Sequence, residues 1–416
     1  MKISAKLLAL APPIDFLREF CADKSTELSI FLSFYKITSE SGCNGIGDED
    51  EVRQSLLLVT ALKDRMWEVI NTGHYSNVDK YHQQLFTLST FCKVVLDIQL
   101  AEAAAGGMRE VFEQCDYDLD YGLLLGRPLD GEAYSALLTD CLKIIKTSKE
   151  AGATAEDEGC STVHAEAVRD ASTTPEIPFL KCPSIEVFHQ NHFVKRQPAI
   201  LSDCMTHWPA LKKWSNPQYL IKVAGERLVP IEIGMHYTDD DWSQDLVKLE
   251  DFIRRHFLSE AVIDRKEYLA QHSLFDQIPD LKKDISIPDY CCLTDDETSS
   301  TELQVDVKAW LGPSGTISPM HHDPKHNLLC QVFGHKRIIL AAPEDTPSLY
   351  PHEDQMLFNT SQIDAENLDF EAFPLTRSVK FFTITLFAGE MLYIPPTWWH
   401  YVRSLDKSFS VSFWWD

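Results

Sequence analysis

The apolar positions of the first third of the chain keep a helical rhythm. Val52, Leu56, Val59, Leu62, Met66 and Val69 recur at intervals of three or four, and Asn71-Thr72-Gly73 supplies a stop. Val78, Tyr81, Leu85, Leu88, Phe91, Val95 and Ile98 share one face of a second amphipathic segment that ends at Gly106-Gly107. A third runs from Tyr134 through Leu137, Leu138 and Cys141 to Ile145. Residues 1–146 therefore read as an α-helical domain of packed antiparallel helices, without a convincing internal repeat. Over residues 147–178 large apolar side chains almost vanish and Ala, Gly, Ser, Thr, Asp and Glu dominate, the composition of an acidic, flexible linker.

Beyond the linker the period changes from 3.6 to 2. Leu303 to Leu311 and Ser408 to Phe413 alternate apolar and polar positions. Asn327–Phe333 and Lys336–Ala341 flank Gly334-His335, and Phe381–Leu386 and Met391–Ile394 flank Ala388-Gly389-Glu390, so both pairs are expected to be hairpins. Many short strands separated by turn signals predict a sandwich or jelly roll over residues 179–416. The fold class is α+β, a helical domain followed by a β-domain.

Composition narrows the function classes. A hydrophobic fraction of 44% in 416 residues is that of a folded globular chain. A net charge of −25 repels phosphate backbones, which disfavours direct nucleic-acid binding and favours a basic protein partner. The eleven cysteines form no C-x-x-C pair, which suits reduced thiols in the cytosol or nucleus. The uncharged run after Lys6 is too short for a signal segment before Pro12-Pro13, and no stretch approaches a membrane span. An intracellular protein is expected.

Candidate chemistry lies in Thr316-Ile-Ser-Pro-Met-His321-His322-Asp323-Pro324. His321 and Asp323 are two apart, so on a strand they face the same side, and Pro324 favours extended backbone at Asp323. A second His-x-Asp triplet, His352-Glu353-Asp354, sits in a polar stretch and reads as a solvated loop. The run Gly389 to His400 is a strand that ends in prolines and delivers a second histidine. Two imidazoles and one carboxylate are the facial donor set of non-haem Fe(II) oxygenases, whereas a structural zinc site wants four ligands, usually with cysteine. An oxygenase of this kind needs two further electrons, which 2-oxoglutarate supplies by decarboxylation. The far carboxylate of that cosubstrate needs a buried cation; Lys336 is the candidate, with Lys325 and Arg337 as competitors.

His321-x-Asp323, Asn327, Lys336, Gly389 to Pro395 and His400 together resemble the JmjC family of Fe(II)/2-oxoglutarate oxygenases. Pro183 to Phe188, His207-Trp208-Pro209 and Trp214-Ser215 resemble the lead-in of its hydroxylase branch, so the likeness spans about residues 183–416. Pro395-Pro396-Thr397-Trp398 is richer in proline than the family pattern. The resemblance implies a double-stranded β-helix, iron held by His321, Asp323 and His400, dioxygen as cosubstrate, and 2-oxoglutarate bound by Tyr268, Ser318, Asn327 and Lys336. It further implies a substrate arginine held by Glu232, Tyr237 and Trp310, a pairing suited to a planar guanidinium. The expected activity is C-3 hydroxylation of arginine in a protein. The alternatives are demethylation of histone methyl-lysine at the same site and a non-catalytic chromatin-binding module. Chromatin or ribosomal proteins as partners, and a nuclear as well as cytoplasmic location, follow from the resemblance alone.

Overall fold

The computed structural model describes residues 2–22, 24–44, 49–72, 78–104, 107–150, 177–234, 242–259, 266–295, 304–354 and 357–416. The chain divides into two compact units, Met1–Asp157 and Glu158–Asp416. Residues 151–176, most of the expected linker, lie outside the described residues.

The first unit is helical: α1 (Ile3–Leu8), α2 (Ile14–Phe20), α3 (Ser25–Asn44), α4 (Glu49–Ile70), α5 (Lys80–Ala103), α6 (Met108–Leu125) and α7 (Leu137–Glu150). Helix α4 keeps a one-sided apolar face through Val52, Val59, Leu62 and Met66. Helix α5 is buried almost all round, from Gln84 to Ile98, and forms the axis on which α4 and α6 pack. Its N-terminus is capped by the Asp79 carboxylate, which accepts from the Tyr81 N–H at 2.9 Å. Helix α6 hides its amphipathic pattern because it buries charge. Asp118, 2% exposed, is paired with Lys63 and, at 2.8 Å, with Lys93. Among the described residues no helix is long and apolar enough to cross a membrane.

The second unit is a β-sandwich with helical lead-in segments. Its strands are β1 (Phe179–Lys181), β2 (Ala199–Ser202), β3 (Leu228–Ile233), β4 (Ser243–Lys248), β5 (Glu267–His272), β6 (Asp306–Gly312) and β7 (Ile317–His322). They continue with β8 (His326–Phe333), β9 (Lys336–Ala341), β10 (Phe382–Leu386), β11 (Glu390–Ile394), β12 (Trp399–Ser404) and β13 (Ser408–Trp415). One sheet runs β1-β2-β11-β8-β13-β6-β5-β3-β4 and the other β10-β9-β12-β7. Their facing surfaces meet through Leu329, Ile338, Leu340, Ile384 and Leu392, a buried apolar layer.

Both expected hairpins are corrected by this topology. Strand β8 belongs to the nine-stranded sheet and β9 to the four-stranded one; β10 and β11 are divided in the same way. The chain at Gly334 and Gly389 therefore turns a corner between sheets, as successive strands of a double-stranded β-helix do. A short glycine turn between apolar runs carries the same local signature in both arrangements, and only the partners across each sheet distinguish them. Gly334 has φ +73° and leaves no room for a side chain: a Cβ there would stand 2.3 Å from the Lys407 carbonyl oxygen.

Gly334→Ala combines left-handed backbone with that collision, whereas Gly389→Ala, at φ +87°, meets nothing within 4 Å. We expect Gly389→Ala to lower stability by about 1 kcal/mol and Gly334→Ala by clearly more, on the order of 3 kcal/mol. Urea unfolding of the two variants side by side checks the order.

Candidate metal and cosubstrate site

Strands β7 and β12 pair antiparallel with His321 directly opposite His400, so histidines 79 positions apart in the chain are adjacent in space (400 − 321). Asp323 follows the end of β7, and its carbonyl accepts the Thr397 N–H at 2.8 Å. Thr397 reaches that position with φ +66°, just after the two prolines. The donor atoms of His321, Asp323 and His400 all lie within 4.8 Å of one another.

Each imidazole is fixed by its far nitrogen. The Nδ1 of His321 faces the Pro319 carbonyl at 2.7 Å, and that of His400 the Trp398 carbonyl at 3.0 Å. Nδ1 is thus the protonated nitrogen on both rings, and both Nε2 lone pairs are left for a metal. Burial, together with the neighbouring His321, pushes the His400 imidazole down to about 4 against the pull of Asp323, so the ring is neutral at pH 7. His400 Nε2 stands 3.7 Å from Asp323 Oδ2, too far for a hydrogen bond. That buried carboxylate oxygen has no hydrogen-bond partner among the described residues. A buried, unpaired carboxylate is costly in protein alone and is the donor a divalent cation satisfies. His352 and Asp354 stand outside this cluster, in the segment that follows β9.

Two cavities meet at the cluster. The inner one, about 340 Å³ including its mouth, is lined by Ser318, Asn327, Leu329, Lys336, Val402 and Trp414 as well as the three clustered residues. The outer one, about 860 Å³ including its mouth, is lined by Glu232, Tyr268, Gln271, Leu357, Asn359 and Thr360. Trp310, Ser318, His321 and Asp323 border both.

Lys336 is 1% exposed, and burial alone brings its amine down to about 7. Its Nζ donates to the Tyr268 hydroxyl at 2.9 Å and lies over the Tyr268 and Trp310 rings at 5.4 and 6.0 Å. Among the described residues no carboxylate pairs with it. Among the described residues the Asn327 Oδ1 in the inner cavity has no hydrogen-bond partner. Gly312 makes space for the Tyr268 ring, since a Cβ there would come within 2.7 Å of it. An ammonium and an amide in the inner cavity, with a phenol hydroxyl bonded to the ammonium, fit an anionic chelator that would reach from the metal. The competing cations are elsewhere: Lys325 is salt-bridged to Asp416 at 3.0 Å, and Arg337 to Glu366 at 3.2 Å.

Of the three candidate substrate residues, Glu232 and Trp310 line the outer cavity, and Tyr237 lies outside the described residues. Trp310 is held by Nε1 donation to Ser412 at 2.9 Å. Burial raises the Glu232 carboxyl above the usual range, opposed by a long contact from Trp242 Nε1 at 3.5 Å. Trp398 does not line the cavity; its indole donates to the Arg196 carbonyl at 2.8 Å and packs in the intersheet core. Sequence reasoning missed Thr397, Gln271 and Asn359. Gln271 sits at φ +50° beside a bulge in β5, and Asn359 Nδ2 donates to the His322 carbonyl at 3.0 Å from the segment between β9 and β10. A Pro-Pro-Thr turn was a visible signal for the first; the other two carry none.

The cupin-like domain family matches residues 184–416. The chain is 46% identical over 372 residues to Jumonji C domain-containing protein 5 of Drosophila melanogaster, covering 89% of each. It is 38% identical over 409 residues to Lysine-specific demethylase 8 of Danio rerio, covering 97% of this chain and 95% of that one. Over 288 residues it is 26% identical to the bifunctional peptidase and (3S)-lysyl hydroxylase JMJD7 of Homo sapiens, covering 60% of this chain and 87% of that one. Fold and site thus define a cupin-like oxygenase. The chain belongs to the JmjC family, whose members use Fe(II) and 2-oxoglutarate.

A cosubstrate carboxylate bound at Lys336 requires the ammonium, so above pH 7 binding must take up a proton. We expect 2-oxoglutarate affinity to fall as pH rises above about 7, by up to tenfold per unit until the amine's pKa in the complex is reached. Calorimetry in buffers of different ionisation enthalpy checks the proton uptake. Lys336→Ala is expected to weaken 2-oxoglutarate at least tenfold, about 1.4 kcal/mol or more, and Lys325→Ala by less than about twofold.

Proposed function

We propose that this protein is an Fe(II)- and 2-oxoglutarate-dependent oxygenase that hydroxylates an arginine side chain at C-3 in a protein substrate. Glu232 carries this reading: a carboxylate pushed toward neutrality by burial, lining the outer cavity beside the Trp310 ring. An incoming guanidinium would favour its charged form, donate to both of its oxygens and stack on an aromatic face. The acidic surface, at a net −25, favours encounter with a basic substrate segment.

The residues divide the work. His321, Asp323 and His400 would hold the iron through two Nε2 atoms and one carboxylate oxygen. Lys336, with the Tyr268 hydroxyl bonded to its ammonium, would clamp the far carboxylate of 2-oxoglutarate in the inner cavity, with Ser318 and Asn327 contributing further polar contacts. Bound iron supplies the activation of dioxygen, with 2-oxoglutarate oxidised to succinate and carbon dioxide. Glu232 and Trp310 would fix the arginine by its far end, so that its methylene chain lies where the two cavities meet. Leu329, Ile394 and Val402 give the inner cavity apolar walls that would limit water beside the bound cosubstrate.

A second reading, demethylation of methyl-lysine, is supported by the likeness to a protein named Lysine-specific demethylase 8. The two differ at Glu232: trimethyl-lysine has no N–H to give that carboxylate and dimethyl-lysine has one, whereas a guanidinium donates to both oxygens.

Incubation of a basic peptide library with the protein, Fe(II) and 2-oxoglutarate, followed by mass spectrometry, is expected to add one oxygen to arginine. Loss of a methyl from lysine would favour the second reading, and no change with no succinate the binding module. Glu232→Gln is expected to cut arginine hydroxylation at least a hundredfold, about 3 kcal/mol, while leaving 2-oxoglutarate binding near that of the unmodified protein.

A further inference from the structure

Nine cysteines are free among the described residues, and most of them are buried singly in the cores. Cys182 and Cys204 differ: one is exposed, the other partly so, and they meet at the outer edge of the nine-stranded sheet. Strands β1 and β2 run parallel there with Lys181 beside Ser202, which brings the residues following both strands together. The Cys182 N–H and the Cys204 thiol donate to one and the same acceptor, the Ser202 carbonyl, at 2.9 and 3.3 Å.

Three further contacts close this corner. Lys181 Nζ pairs with Asp203 at 3.1 Å, joining the residue before one cysteine to the residue before the other. The Tyr290 hydroxyl donates to the Pro183 carbonyl at 2.6 Å and stands 3.7 Å from Cys204 Sγ. Cys182 and Asp203 both adopt left-handed backbone, φ +37° and +61°, which turns the chain sharply at each site. The Cys182 side chain is close enough to interact with the Cys204 thiol, which burial pushes up to about 11.

We propose that Cys182 and Cys204 are a thiol pair that closes to a reversible intramolecular disulfide when the protein meets a small-molecule disulfide such as oxidised glutathione. The exposed Cys182 is the entry point. Its thiolate attacks one sulfur of the oxidant, an S–S bond forms, and one reduced glutathione leaves. The Cys204 sulfur, losing its proton to solvent, then attacks Cys182 Sγ and expels the second glutathione. Two thiols are oxidised and one disulfide is reduced to two thiols. The product staples the three-residue β1, which pairs with no strand but β2 among the described residues, to the rest of its sheet.

The test is incubation of the full chain in oxidised glutathione, acid quench, alkylation and peptide mass spectrometry. The expected product is a Cys182–Cys204 linked peptide two hydrogens lighter than its reduced parts, lost on treatment with dithiothreitol, with exposed Cys292 serving as a comparison thiol. Cys204→Ser removes the resolving sulfur and is expected to leave a persistent glutathione adduct on Cys182. In the wild-type protein, a persistent Cys182 adduct with Cys204 still alkylatable would overturn the proposal. So would a cross-link from Cys182 to any other cysteine or to a second chain, or no reaction at Cys182 under conditions that modify Cys292.

Discussion

The antiparallel pairing of β7 with β12 is the constraint on which the rest of the catalytic unit depends. It sets His321 opposite His400, and the Thr397 N–H to Asp323 carbonyl bond then holds the third donor against the same point. The His321 and His400 rings lie tilted against each other with centroids 4.2 Å apart. Each is oriented from behind, the imidazoles by the Pro319 and Trp398 carbonyls and the aspartate by its own backbone. The outcome is three convergent donors with an unsatisfied carboxylate oxygen, an arrangement whose free energy is poor without a cation and good with one.

The same logic of an incomplete partner recurs along the cavities. Among the described residues Lys336 is a buried ammonium that no carboxylate pairs with, and Glu232 a partly buried carboxyl that a distant indole N–H approaches at 3.5 Å. Burial disfavours the charged form of both, lowering the Lys336 amine to about 7 and raising the Glu232 carboxyl, so each gains from a ligand of opposite charge. Their sequence along the path is cation in the inner cavity, donor cluster at the junction and acid in the outer cavity, which under the proposed function would place the acidic cosubstrate toward Lys336 and a basic substrate toward Glu232. By contrast Asp118 and Asp284 are buried carboxylates fully answered by lysines, a tryptophan and a tyrosine, and they hold structure.

Much of this was legible in the sequence wherever a local pattern dictates a local outcome. Period-3.6 stretches became α4, α5 and α7, and the His-x-Asp triplet and the distal histidine became one cluster. What was not legible depends on partners far along the chain. The Gly334 and Gly389 turns read as hairpins because nothing local records that the strands on either side belong to different sheets. Helix α6 escaped because Asp116, Asp118 and Asp120 break an apolar face that long-range ion pairs make buriable. Gln271 and Asn359 entered the cavity wall through a bulge and an inter-strand segment whose course no periodicity encodes. Tyr237 falls outside the described residues.

The central claim is that His321, Asp323 and His400 form one divalent metal site. Manganese(II) stands in for iron(II) without oxidising in air, and the loss of its free-ion paramagnetic resonance signal counts bound metal directly, with no turnover required. The account predicts one tight site per chain, abolished in Asp323→Ala and in His400→Ala and unchanged in Asp354→Ala, with helical and sheet content preserved in all three. Undiminished manganese binding in Asp323→Ala, or its loss in Asp354→Ala, would contradict it.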